Sequence, residues 1–215
     1  MYVRTFAFLA LACLALPASA DKSAGLRPGK ADLIVIHATS GPICSDDKTV
    51  VFTPAPVSPT DAQDLLAFIQ NEGSNSIHYV IGRKGDVAIG APETDWAQHA
   101  GSKAVNQRSI GIELVNRGDG IEPFTPEQIE ALTRLVKDIR TRNTIPLAGI
   151  IRHSDVDQRN CTCGGVPYRR RVDPNTAFDL DAFRKSVALP EEKLGASRYP
   201  VTTKAPTLEQ CGGRS

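Results

Sequence analysis

The sequence lacks an excess of charge. Its 25 Lys and Arg stand against 24 Asp and Glu, a formal net charge of +1, so no basic field invites nucleic acid or an acidic membrane surface. Internal repeats are missing too, which excludes a solenoid or propeller. There is no H-E-x-x-H pattern, which sets aside that type of zinc peptidase. The longest apolar run, near the N-terminus, is too short and wrongly flanked for a stable membrane span. What remains is ordinary: 41% hydrophobic and 23% charged residues in a chain of 215. That is enough for one domain with a real core, expected as a monomer.

The stretch MYVRTFAFLALACLALPASA at residues 1–20 has Arg4, then the apolar run, then Ala18-Ser19-Ala20. These are the three regions of a secretory signal peptide, so an exported chain is expected, periplasmic or secreted. Cys13 falls inside it, and Ala10-Leu11-Ala12 is a poor context for lipid attachment. Cys44, Cys161, Cys163 and Cys211 are left for the mature chain. Four cysteines allow three full pairings. A Cys161–Cys163 bridge would close a very tight ring, so Cys44 with one of that pair is the better match. Residues 21–31 read as a linker, 32–188 as the domain, and 189–215 as a polar tail.

Within the domain, Leu33–Ile36 form an apolar run that stops at His37, as a buried central strand would. Residues 41–60 hold Pro42, Pro54, Pro56 and Pro59 and read as a surface loop. Thr60–Gln70 reads as a helix capped by Thr60. Tyr79–Ile81 and Val87–Ile89, around Arg83-Lys84-Gly85-Asp86, read as a hairpin. Ser109–Asn116 reads as a strand with Ile110, Ile112 and Leu114 on one face and Gly111, Glu113 and Val115 on the other. Phe124–Asn143 is the clearest helix, with Thr125 as cap, Pro126 at the first position and Gln128 completing a capping box. Leu147–His153 reads as a strand ending in histidine, and Phe178–Ser186 as a last helix. The fold class is therefore α/β, a central mixed sheet flanked by helices.

Two of the four histidines, His37 and His153, close apolar strands. Side by side, such strands would bring both imidazoles to one rim, and neutral imidazole suits zinc. Position alone leaves the alternative of two unrelated packing histidines. His78 begins a hairpin strand and reads as a structural histidine. Glu113 on an apolar strand is either exposed or poised in a cleft, and Trp96 is either a stacking surface for sugar or core. Arg169–Arg171 is by default a solvated run. After it, Asp173 is followed by Pro174, which restrains its backbone to an extended form.

The blocks LIVIHATS, DWAQHAG, SIGIELVN, RHSDVD and RRRVDPN, in this order, resemble the zinc-dependent N-acetylmuramoyl-L-alanine amidases of the amidase-2 type. Peptidoglycan recognition proteins and bacteriophage-lysozyme-type amidases share that fold. The resemblance covers roughly residues 30–185. It implies Zn2+ held by His37, His153 and Asp173. It makes Glu113 the group that activates water, gives Arg171 the oxyanion, and sets His99 in the substrate cleft; on the stacking reading of its indole, Trp96 is counted as a further substrate contact. The substrate implied is peptidoglycan or muropeptides. Three departures stand out. Arg171 replaces the usual lysine; it can stabilise charge but not exchange protons readily. Asn175 stands where glycine is usual. QRNCTCGGVPYR lengthens the path from His153 to Asp173, and Cys161, with Arg159 two before it, matches the register of members that use cysteine as third ligand. The Asp-Pro context favours Asp173.

Overall fold

The structure is a computed structural model that describes residues 23–39, 41–44, 50–53, 61–118, 122–157, 160–163, 166–169 and 171–194. For 41–44, 50–53, 160–163 and 166–169 it describes the backbone alone. The elements in chain order are β1 Leu33–Ala38, β2 Gly41–Cys44, β3 Val50–Thr53, α1 Ala62–Asn71, β4 Tyr79–Ile81, β5 Val87–Ile89, α2 Lys103–Asn106 and β6 Ser109–Leu114. There follow α3 Pro126–Asn143, a 3-10 turn Leu147–Gly149, β7 Ile150–Arg152, α4 His153–Val156, β8 Asn160–Cys163, β9 Val166–Arg169 and α5 Leu180–Ser186.

Five strands form one sheet in the order β5-β4-β6-β1-β7. β4, β6, β1 and β7 run parallel, and β5 returns antiparallel as the hairpin partner of β4. The sheet is mixed for a simple reason: a tight hairpin can only join antiparallel strands, whereas the parallel ones need crossovers. In β6 the alternation expected from the sequence holds. Ile110, Ile112 and Leu114 join Ile34 and Ile36 against Leu132, Val136 and Ile139 of α3 and Phe183 of α5. Val115 faces the other layer, where Leu65 and Leu66 of α1 pack on Val80 and Ala88. With both faces covered, β1 is a continuous apolar run rather than an alternating one.

Helix ends follow local chemistry. Thr125 accepts from the Gln128 N–H at 3.1 Å while the Gln128 side chain accepts from the Thr125 N–H at 3.2 Å, the reciprocal capping box. α1 is capped by Asp61, not Thr60: the Asp61 carboxylate accepts from Asp64 N–H at 2.9 Å. The Asp86 carboxylate also accepts from Ala62 N–H at 2.6 Å. α5 starts two residues later than its apolar pattern suggested, with Asp179 as cap.

Three other expectations change. The proline-bearing 41–60 segment contains an antiparallel pair, β2 with β3, with Pro42 on β2 opposite Phe52, so the segment is not a loop throughout. The long path after His153 contains a second hairpin, β8 with β9, in which Cys161 lies opposite Tyr168. Residues 24–27 dock on the domain, with Leu26 bridged to Asp95. There the Arg27 guanidinium donates to the carbonyls of Ser109 at 2.9 Å and Asp95 at 2.7 Å. The signal-like stretch, Cys211 and the cysteine side chains lie outside what is described. No helix among the described residues is long and apolar enough to cross a membrane.

Candidate active site

The site forms where the parallel strands end, the edge at which open α/β sheets present their ligands. In register, His37 of β1 lies beside Glu113 of β6, so both side chains leave the sheet at the same level and on the same face. On the other side of β1, Ile36 pairs with Arg152, which brings the next residue, His153, to His37. His153 is not the end of a strand as expected. β7 stops at Arg152 because the Asp155 carboxylate accepts from the Arg152 N–H at 2.9 Å and also holds its guanidinium. That turns the chain into α4 with His153 as its first residue. Asp155 thus shapes the turn and stands outside the cluster.

Asp173 arrives from the segment after β9. Ser154 N–H donates to the Asp173 carbonyl at 3.1 Å and Asn175 N–H to the Val172 carbonyl at 2.7 Å, and these bonds fix the turn. Asn175 takes the left-handed conformation, φ 63°, which explains how it can occupy a place suited to glycine. Three donor atoms then converge. His37 Nδ1 lies 3.1 Å from His153 Nδ1 and 3.3 Å from Asp173 Oδ2, and His153 Nδ1 lies 3.0 Å from that oxygen. A tetrahedral ion with bonds of 2.0–2.1 Å spaces its ligand atoms about 3.3–3.4 Å apart. Two imidazole nitrogens and a carboxylate oxygen on a triangle of this size fit zinc, and all three residues are buried.

The protonation states agree. Burial, reinforced by the neighbouring His153, pushes the His37 pKa down to about 4, so the ring is neutral near pH 7. Burial alone would raise the Asp173 carboxyl, but His153 and His37 outweigh it and hold it well below the ordinary carboxylate range. Neutral imidazole and anionic carboxylate are the forms that bind a metal. Glu113 behaves oppositely. Burial first, then the charge of Asp173, raise it well above the usual value, and Arg171 offsets only part of this. A carboxyl raised toward neutrality is suited to taking and returning a proton.

These groups open onto a cleft of about 330 Å³ that also admits Arg171 and His99. Its far wall comes from α1, with Leu65, Phe68, Ile69 and Glu72, and from Asn75, Ser76 and Ile77. The sequence reading missed this wall. Phe68 of this wall stays 48% exposed while Leu65 and Leu66 of the same helix are buried. Trp96, expected at the substrate, is not among the cleft-lining residues. The docked N-terminal segment claims it: Trp96 N–H donates to the Gly25 carbonyl at 2.9 Å and its carbonyl accepts from Ala24 N–H at 3.0 Å. His78 is fully buried and accepts at Nδ1 from Gly111 N–H at 3.0 Å, a structural role.

Against known proteins, the family Amidase_2, described as N-acetylmuramoyl-L-alanine amidase, matches residues 27–174. The chain belongs to this family. All of the parallel strands and all three candidate ligands fall inside the matched span. The amidase AmiD of Escherichia coli is 42% identical over 78 residues, which cover 30% of this chain and 28% of that protein. A solved structure of AmiD from E. coli, a complex with the substrate anhydro-N-acetylmuramic acid-L-Ala-D-gamma-Glu-L-Lys, superposes with a TM-score of 0.53 at 27% identity. It covers 74% of this chain and 58% of that one, so this amidase-2 chain spans little more than half of that relative. A mutant endolysin from Bacillus subtilis, at 20% identity, TM-score 0.53 and coverage of 80% and 95%, shares the fold.

Proposed function

We propose that this protein hydrolyses the amide bond between N-acetylmuramic acid and L-alanine in peptidoglycan or its fragments, with zinc held by His37, His153 and Asp173. The observation that carries the reading is Glu113, a carboxyl raised by burial, set level with His37 beside a three-donor triangle in an open cleft. Zinc, when bound, supplies a Lewis acid for the scissile carbonyl and an acidified water. Glu113 accepts the proton of the attacking water and returns it to the nitrogen of L-alanine as the C–N bond breaks. Arg171, lining the same cleft, offers a guanidinium to the developing oxyanion. Because arginine holds its proton firmly, the acid and base roles both fall to Glu113.

The muropeptide bound to the related AmiD supports wall fragments as the ligand class. A stem peptide with its sugar needs an elongated cleft with apolar and polar stretches. The α1 wall provides both, through Leu65, Phe68 and Ile69 beside Glu72 and Asn75. His99 lines the cleft on the side of β6. The signal-like segment suits action on wall material outside the cytoplasm, by a monomer without nucleic-acid partners. The test is chelation of the purified chain followed by zinc. Muropeptide hydrolysis is lost and returns with the metal, while Glu113→Gln stays inactive with zinc bound. Full activity in Glu113→Gln would refute the assignment.

A further inference from the structure

We propose that His99 is a positioning residue for His37, fixing which ring nitrogen of His37 is offered to the metal through a one-way chain of hydrogen bonds that ends on the backbone. The inference rests on the metal reading of the site and adds a supporting group to it.

The direction of the chain follows from its far end. Ser109 Oγ lies 2.7 Å from the Val105 carbonyl oxygen, and a carbonyl only accepts, so the single hydroxyl proton is committed there. Ser109 Oγ can therefore only accept from His99 Nε2, 3.1 Å away, which places the proton of neutral His99 on Nε2. Nδ1 of His99 is then bare and accepts from His37 Nε2–H at 2.9 Å. With its proton on Nε2, neutral His37 presents a bare Nδ1, the atom that stands 3.1 and 3.3 Å from the other two donors. The two rings stand at 82° with 5.1 Å between centroids, an arrangement compatible with a His37 N–H pointing along the in-plane lone pair of His99 Nδ1.

The other ligand ring has no such chain: His153 Nε2 is buried with no partner among the described residues. His99 is seated by an absence. A Cβ on Gly111 would come within 2.8 Å of His99 Cγ and Nδ1. Glycine at that position of β6 makes room for the ring. The IGIEL and HAG blocks are thereby joined in one device that serves the first ligand. Outer hydrogen bonds of this type set the tautomer and aim of a ligating imidazole, and their loss weakens metal binding.

The test compares His99→Leu with His99→Asn on the full chain. Asparagine places its Oδ1 where Nδ1 of histidine stands, so it still accepts from His37, whereas leucine fills space and accepts nothing. Zinc affinity by chelator competition is expected to fall about 10–100-fold in His99→Leu and to stay close to wild type in His99→Asn. In metal-free protein, 15N shifts of histidine should show His37 protonated at Nε2 in wild type, and lose that signature in Ser109→Ala. Equal zinc affinity in the Leu and Asn variants, or an unchanged His37 tautomer in Ser109→Ala, would overturn the proposal. Asp173→Ala serves as the reference: if it abolishes zinc binding while His99→Leu binds as wild type does, His99 alone is misassigned. If wild type takes up no zinc, the metal reading falls with it.

Discussion

Gly111→Ala crowds the ring of His99. The added Cβ would stand 2.6 Å from Ile77 Cδ1 and 2.8 Å from Cγ and Nδ1 of His99. Carbon contacts settle near 3.5–4.0 Å, so the imidazole has to retreat by about 0.7 Å or more. A retreat of that size along the bond takes His37 Nε2···His99 Nδ1 from 2.9 Å to roughly 3.6 Å, beyond a hydrogen bond. Two consequences separate. Overpacking costs about 1–3 kcal/mol of stability, which for a domain of this size lowers Tm by about 2–4 °C per kcal/mol. Loss of the bond to His37 weakens zinc about 10-fold or more. Thermal melting of the metal-free chain reads the first and chelator competition reads the second. A variant that melts lower but binds zinc unchanged refutes the link between the seat of His99 and the ligand. A variant unchanged in both refutes the packing itself.

Three further outcomes are expected. Asp173→Ala abolishes zinc uptake while Cys161→Ser leaves it intact; the reverse, read by metal analysis after dialysis, would transfer the third-ligand role to Cys161. Burial holds His78 at about 4 in the folded chain against a usual value near 6.5. The unfolded chain therefore binds the extra proton first, and stability present above pH 6.5 drains away as pH falls to 4, by up to about 3 kcal/mol. His78→Asn, which keeps an acceptor for Gly111 N–H, should flatten that part of the urea midpoint against pH, and an unchanged slope would contradict the assignment. Thr125→Ala removes the α3 cap together with its hydroxyl bond to the Arg83 carbonyl, for a loss of about 1–2 kcal/mol in urea unfolding.

Some of this architecture was legible in the chain because each signal was local. Thr125, Pro126 and Gln128 announce the start of α3 without help from tertiary structure, and the alternation in Ser109–Leu114 separates the core face from the face that carries Glu113. Strand ends marked by His37 and His153 suggested a shared rim, and the register of β6, β1 and β7 brings them there. Other features depended on distant partners. The turn into α4 needs Asp155 to claim the Arg152 N–H, so a strand ending at His153 was the natural reading of an apolar run. Trp96 is held through its backbone by Gly25, some seventy residues earlier, which no local pattern announces. Gly111 read as one more small residue on a strand, because the ring it makes room for comes from His99, on a separate segment. The α1 wall of the cleft was hidden for a similar reason: Phe68 belongs to the apolar pattern of α1, and its 48% exposure comes from the tertiary fold rather than from the local sequence.

Glu113 and the His37–His153–Asp173 triangle are proposed to cut the amide that joins the sugar to the peptide stem. Mass analysis of products from an anhydro-muropeptide incubated with the zinc-loaded chain tests it directly. An intact peptide with a new L-alanine amino terminus and a free anhydro-sugar are expected from wild type and not from Glu113→Gln. Products with new amino termini within the stem, or binding without any product, would contradict it.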